Sequence, residues 1–365
     1  LAQRLPEVTT VGAPLTLVGS SALFEPLESF LTVARLTDKP ISAVSLIPAH
    51  NPYFGEFGEI LGGDRSRYVG CGGWMTSPLC ISERAGELIR LGPEYGKTIA
   101  GAGSMVIAGL SGPVTRAGAI VVGAAEILGP WVGALALQPL ITGFSGSAAT
   151  GVLDPRTSRG CFGGPEAAKQ DVAICELFDH CFGGGVGVAG RGYVDGKVPG
   201  LQVTFEKVTK ALYVAYARGG APRIGNPGLL DAGRAFSPVQ YLLDVEMDQA
   251  LGHLYKGLEV TEDEVALDTI FEATAEYGSS FIGLEHTAHH LRGELWLPQF
   301  MDRAANYPPG GEDLERQVAT RANQRWKELV ASYQPVSRPE VGAIEEVVAR
   351  AKKELVEQGA RRFLA

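Results

Sequence analysis

The stretch "GVGVAGRGYVDGKVPGLQVTFEKVTKALYVAYAR" (185–218) joins a short apolar run, a glycine- and proline-rich loop and a long amphipathic segment. The run "GVGVAG" (185–190) has the length of a buried strand, and the apolar spacing from 202 to 218 is that of a helix. Between them, Asp195, Lys197, Gln202 and Glu206 crowd one junction. Gln202 and Glu206 stand one helical turn apart, so both are expected to face the loop. In folds built from parallel strands and crossover helices, this junction lies at the ligand-binding end of the sheet.

The same unit recurs along the chain. "ISAVSLIP" (41–48), "KTIAGA" (97–102), "PLITGF" (139–144), "APRIGN" (221–226), "GLEV" (257–260) and "SSFIGL" (279–284) are further strand candidates, with helical patterns between them. The helices expected are 117–129, 165–180, 202–218, one opened by Ser237-Pro238, one over 261–278 and one opened by "HTAHHLRGELW". Ser237 reads as an N-cap with proline at the first helical position, and Thr261 with Glu264 as a capping box. Seven or eight units predict a parallel sheet, and the lack of an early GxGxxG favours a closed (β/α)8 TIM barrel over an open nucleotide-binding sheet. The expected division is an N-terminal segment (1–36), a barrel (37–311) and C-terminal helices packed outside it (312–365). The polar groups after 190 are then expected to point into the mouth of a pocket.

Composition narrows the function. Of 365 residues 48 are glycine, roughly twice the usual ~7%, and they gather where apolar runs end, as turns feeding a binding face require. A net charge of −9 leaves no basic stripe for nucleic acid. The longest apolar stretch, Ala117 to Leu140, is broken by Glu126 and reads as a buried helix followed by a strand rather than a membrane span. No signal peptide is apparent. Five cysteines (Cys71, Cys80, Cys161, Cys175, Cys181) without CxxC spacing fit a reducing cytoplasm better than a disulfide framework. The chain opens on Leu1, so the true beginning is expected to lie upstream.

Three blocks now carry a resemblance. "GLSGPVTRAGAIVVGAAEIL" (109–128), "GYVDGKVPGLQVTFEK" (192–207) and "FIGLEHTAHHLRGELWLPQFMDR" (281–303) together resemble the trimethylamine methyltransferase superfamily, in the same order, from about 37 to 335. The family's usual N-terminal helical extension is expected to be missing here. In the branch that uses pyrrolysine, that residue sits in the loop corresponding to Lys197–Pro199; ordinary residues stand here, so the chain resembles the non-pyrrolysine branch. Gly200-Leu201 and "ITGFSGSA" (141–148) depart from the family pattern, which leaves the substrate open.

The resemblance implies a methyltransferase that takes a methyl group from a quaternary amine such as glycine betaine to the Co(I) corrinoid of a separate protein. No DxHxxG cobalamin motif is present, and His253 in "DQALGH" lacks the spacing, so the corrinoid is expected to arrive with its partner, and the enzyme to be a homo-oligomer. A quaternary nitrogen leaves as a neutral amine, so the protein needs mainly orientation and electrostatics. Aromatic faces suit the cation at about 0.5–2 kcal/mol each. Candidates at loop positions are Tyr193, Phe205, Phe144, Trp74 and Phe281, each otherwise a packing residue. Glu206, Gln202 and Asp195 are the catalytic candidates; a Glu206–Lys210 helix pair is the plainer reading of Glu206. Lys197 reads as a solvated or loop-pinning charge. His286 is expected to line the substrate site from the start of the last barrel helix, with Thr287 or Glu285 as that helix's cap. Arg116 is expected to meet an anionic substrate group or the corrinoid partner. His286 and His290, at i and i+4, open the rival reading of a metal-dependent barrel lyase or hydrolase, but HExxH is absent and no metal is expected. A member of the same class acting on another methylated donor, a tertiary amine included, and a non-catalytic quaternary-ammonium binder are the further readings. His180-Cys181 point apart as neighbours at a helix end, which argues against a thiol–imidazole nucleophile.

Overall fold

The computed structural model describes residues 1–275, 280–303 and 314–357. In chain order its main elements are α1 (Glu25–Leu36), α2 (Asn51–Gly62), β1 (Gly72–Trp74), α3 (Glu83–Leu91), β2 (Ile99–Ser104), β3 (Ile107–Ala108), α4 (Arg116–Leu137), β4 (Gly143–Ala148), β5 (Gly151–Asp154), β6 (Arg159–Cys161), α5 (Pro165–Phe182), β7 (Val186–Val188), α6 (Leu201–Arg218), β8 (Leu229–Leu230), β9 (Ala235–Phe236) and α7 (Pro238–Tyr255). They are followed by α8 (Glu262–Val265), α9 (Leu267–Thr274), α10 (Glu285–Glu294), α11 (Leu314–Ala331) and α12 (Val341–Glu357).

Strands β1, β2, β4 and β7 form one parallel sheet in that order. Parallel pairing follows from the crossovers: α3, α4 and α5 each carry the chain back to start the next strand in the same direction. Alternation along the strands gives the sheet two unlike faces. Ala102, Ala148, Val186 and Val188 pack beneath Ile127 and Trp131 of α4 and Val172, Ile174 and Phe178 of α5. The opposite face carries Gly101, Gly103, Ser145, Ser147 and Gly187, side chains too small to build a second core.

The parallel α/β sheet expected from the sequence is present, but among the described residues it is a four-stranded wall and not a closed ring. The other strand candidates are occupied differently. In 41–48 only Ile41 bridges, to Val11. In 221–226 the Ile224 N–H goes to Asp248 at 2.8 Å and the Asn226 carbonyl to Lys207 at 3.2 Å, so side chains take what a neighbouring strand would need. Residues 257–260 are exposed, and Phe281–Gly283 form a 3-10 turn. One strand, β1, falls in "GGW", which alternation does not flag.

Several expected helices appear with shifted ends. Ser237 caps α7 by accepting the Gln240 N–H at 3.2 Å, and Thr261 caps α8 by accepting the Glu264 N–H at 3.1 Å. The helix expected over 261–278 breaks at Ala266, which has φ 50°, and its residues 276–278 lie outside the described set. Neither Thr287 nor Glu285 caps α10; the Thr287 hydroxyl donates back to the Phe281 carbonyl at 2.6 Å. Helix α4 runs through Pro130 to Leu137, and the expectation that it is buried holds for one face only. It is long and apolar enough to cross a membrane, and only 33% of its most apolar stretch is buried. Helix α12 packs on α1 and α2, where Ile344, Val347 and Leu355 join Phe30, Phe54 and Phe57; α11 packs on α7. Of the C-terminal segment, 312–313 and 358–365 lie outside the described residues.

Candidate active site

The small-residue face of the sheet opens into a cleft of about 700 Å³. Gly72, Gly101, Gly103, Ser145 and Ser147 line it along the strands, with Trp74 where β1 ends. The glycines are steric requirements. A Cβ on Gly72 would stand 1.8 Å from the Gly101 carbonyl oxygen, and Gly72 has φ 136°, where side-chain residues are strained. A Cβ on Gly103 would stand 2.5 Å from the Trp74 ring, so the indole lies directly over that glycine. Trp74 is 41% exposed, unusual for so large an apolar ring, and its open area belongs to the cleft.

The polar junction 191–208 is used differently from a pocket lining. Glu206, buried on α6, accepts the backbone N–H of Asp195 at 2.7 Å and of Gly196 at 3.3 Å, while its other oxygen takes the Gln202 side-chain amide at 2.7 Å. Asp195 reaches across to the N–H groups of Phe162 and Gly163 at 2.8 and 2.9 Å. Lys210 donates to the carbonyls of Gly190 (2.9 Å), Tyr193 (2.8 Å) and Phe162. Burial lowers the Lys210 pKa from its ordinary value, opposed by the charges of Asp171, Asp195 and Glu206. The carboxylates are therefore turned onto loop backbone, which they fix relative to α6. The Glu206–Lys210 pair is electrostatic at most; no ion pair forms between them. Lys197 lies 3.7 Å from Asp231 and pins the same loop from outside.

The remaining candidates are dispersed. Tyr193 is half-buried edge-on to Phe162, ring centroids 6.0 Å apart, with its hydroxyl pushed up in pKa by burial. Phe144 falls on the helix-covered face, stacked 5.3 Å from Trp131, because strand alternation puts it opposite Ser145. Phe205 is 64% exposed on the outer side of α6, and Phe281 is exposed in the turn before α10. His286 stacks on His290 at 4.3 Å, and His290 is 3.8 Å from Asp263. No three His, Cys, Asp or Glu side chains are placed to share a metal ion among the described residues. Arg116 opens α4 beside a separate cleft of about 510 Å³, shared with Thr115, Leu153 and Glu166. Of the aromatic candidates, Trp74 alone lines the sheet cleft.

Asp171, Lys207, Asp244 and Glu126 are buried charged residues that carry no site role in the sequence reading. Asp171 on α5 accepts the Thr150 N–H and hydroxyl at 2.6 and 2.8 Å, and its second oxygen has no partner. Burial pushes its carboxyl up to about 7. Lys207 pairs with Asp244, fully inside, and Asp244 also accepts from Gly228 and Gln240 at 2.7 and 2.8 Å. Glu126 is buried within α4; its isolation in an apolar run was the available signal.

A parallel α/β sheet with an open cleft bearing one aromatic face and several hydroxyls has the form of a small-molecule binding site. More particularly, the chain belongs to the trimethylamine methyltransferase family, whose model matches residues 36–356. It is 29% identical over 284 residues to the glycine betaine methyltransferase of Desulfitobacterium hafniense (strain Y51), covering 77% of this chain and 57% of that protein. It is 28% identical over 268 residues to a trimethylamine methyltransferase MttB of the same species (strain DSM 10664 / DCB-2), covering 73% of this chain and 51% of that protein. The MttB of Methanosarcina barkeri (strain Fusaro / DSM 804) is 28% identical over 282 residues, 76% of this chain and 54% of that protein. The chain thus spans about half the length of the curated relatives it matches.

Proposed function

We propose that this chain catalyses methyl transfer from a quaternary amine of the betaine type to the Co(I) corrinoid of a separate corrinoid protein. Family membership over residues 36–356 carries this reading, and the glycine betaine methyltransferase among its relatives supports the donor class. When bound, the reduced corrinoid supplies the nucleophile, so this chain's share is to hold and orient the donor. A quaternary nitrogen takes back the electron pair of the broken C–N bond and departs neutral, so no proton need be delivered. That suits a cleft whose strands contribute glycine, serine and apolar side chains and no titratable group, with Arg84 and Lys97 at its rim.

In this reading Trp74 offers the cation its ring face, an interaction of about 0.5–2 kcal/mol. The glycines let the donor lie against the strands, and Ser145 and Ser147 offer hydroxyls to its polar end. Glu206, Gln202 and Asp195 serve the reaction by fixing the loop that carries Tyr193. Arg116, in its separate cleft, is assigned to the corrinoid partner. We place the four-stranded wall within a (β/α)8 architecture. Five unpaired cysteines suit the reducing cytoplasm. Exposed Val121, Val132, Leu135 and Leu137 on α4 suit burial in a homo-oligomer.

The test is to mix the protein with cob(I)alamin and a panel of betaines and methylated amines, following the cobalt spectrum. Methylation with a quaternary donor, lost in Trp74→Ala, is the expected result. Transfer from trimethylamine alone would replace the donor class, and activity that tracks a stoichiometric bound zinc or iron would favour a metal-dependent lyase or hydrolase.

A further inference from the structure

Between Ala117 and Leu137, α4 carries one charged side chain, Glu126, and it is 2% exposed. Burying a carboxylate costs several kcal/mol unless donors replace its water, so its partners indicate what it is for. Glu126 accepts the Leu79 N–H at 3.0 Å on one oxygen, and the hydroxyls of Ser77 and Ser104 at 2.8 and 2.5 Å on the other. Ser104 ends β2. Ser77 and Leu79 form the tip of the loop that leaves β1 directly after Trp74. The base of that loop is closed by reciprocal backbone bonds between Thr76 and Cys80 at 2.9 and 3.0 Å, and the Met75 N–H reaches the Gly103 carbonyl at 2.8 Å. Strand, loop and helix therefore meet at one carboxylate, on the face of the sheet behind Gly103, whose cleft side the Trp74 indole covers.

We propose that Glu126 is a positioning residue for the donor site: it clamps the 75–80 loop to α4 and β2 so that the Trp74 ring stays over Gly103 in the cleft. This rests on reading the Trp74 cleft as the donor site. The clamp itself is a matter of loop order, measurable without any methyl transfer.

The experiment pairs hydrogen–deuterium exchange of peptides spanning 74–82 with calorimetric titration of glycine betaine and tetramethylammonium. Glu126→Ala should raise exchange over 77–80 by about tenfold or more and weaken ammonium binding by about tenfold. Glu126→Gln, whose amide oxygen still accepts the Leu79 N–H while its NH2 donates to the serine hydroxyls, should restore both to within about threefold of the parent. Should Glu126→Ala fail to fold, the Ser77→Ala/Ser104→Ala pair makes the same comparison with the carboxylate's hydroxyl donors removed. Trp74→Ala should lose binding while its loop exchanges at the parent's rate. Unchanged exchange over 77–80 in Glu126→Ala or in the serine pair overturns the clamp. Faster exchange with full ammonium binding, in a protein whose Trp74→Ala variant does lose binding, overturns the positioning role and leaves the cleft standing. Parent-like behaviour of Trp74→Ala towards both ammonium probes sinks the cleft reading, and the positioning role with it, while the exchange data still report the clamp.

Discussion

Glu206 and Asp195 are bonded in series: the Glu206 carboxylate accepts the Asp195 backbone N–H at 2.7 Å, and the Asp195 carboxylate accepts the N–H groups of Phe162 and Gly163 at 2.8 and 2.9 Å. Helix α6 thereby holds the loop after β7, which in turn holds the loop before α5. A residue that satisfies buried backbone donors is felt first in stability. Glu206→Ala strands the Asp195 and Gly196 N–H groups and should cost about 2–4 kcal/mol, read as a lower urea midpoint with unchanged slope. Methyl transfer should fall as well, because the Tyr193 loop loses its anchor. A variant of parental stability would show that the chain of bonds contributes little.

The two cleft glycines should separate fold from site. Gly72→Ala meets the Gly101 carbonyl at 1.8 Å in a backbone conformation that resists side chains, so it should disrupt the β1–β2 pairing and destabilise by more than about 2 kcal/mol. The three atoms nearest a Cβ at Gly103 all belong to the Trp74 ring, a side chain that can turn aside where backbone cannot. Its fold should survive while glycine betaine affinity drops by about fivefold or more, a contrast that calorimetry and thermal melts read together.

Lys207 and Asp244 test a different cost. With both ends essentially inaccessible to solvent, removing one strands the other charge. Lys207→Met or Asp244→Asn alone should lose about 3–5 kcal/mol, and the double variant distinctly less than the sum. Additive losses in the cycle would mean the two do not act as a pair.

The strand–loop–helix unit at 185–218 was legible because β7 and α6 obey simple local rules: a short apolar run, a glycine-rich turn, then helical spacing. The caps at Ser237 and Thr261 were legible for the same reason. The closed ring was not decidable from such runs. Whether 221–226 pairs as a strand depends on where Asp248 and Lys207 reach, which is tertiary information. The crowding of polar groups at 191–208 is visible in the sequence, but the direction in which they point is not. Only the fold shows that Phe162 and Gly163 lie within reach of Asp195. Phe144 illustrates the sensitivity of strand register, since one residue's shift would exchange it with Ser145 and put the ring in the cleft. Glu126 stood in plain view as the lone charge in an apolar helix, yet its partners at 77, 79 and 104 are distant in sequence.

Asp171 sets a pH dependence whose sign can be worked out. Burial raises its carboxyl from 3.8 to about 7, against the hydrogen bonds from Thr150 and the charge of Lys210. The folded protein therefore holds a proton on Asp171 through a range where the unfolded chain has released it. Stability falls with pH wherever the native state binds more protons, so this group's contribution is full below about pH 4 and is lost as pH rises towards 7. The reason is local: one oxygen is satisfied by Thr150, while the other faces Gly190 with no donor, and ionisation would place charge there. Asp171→Asn keeps an oxygen for Thr150 and cannot ionise. The stability difference between parent and variant, from urea unfolding at pH 4 to 8, should move in the variant's favour by a few kcal/mol as pH rises, and flatten above about 7. A difference that stays constant with pH would mean that Lys210 and the Thr150 donors hold Asp171 ionised throughout.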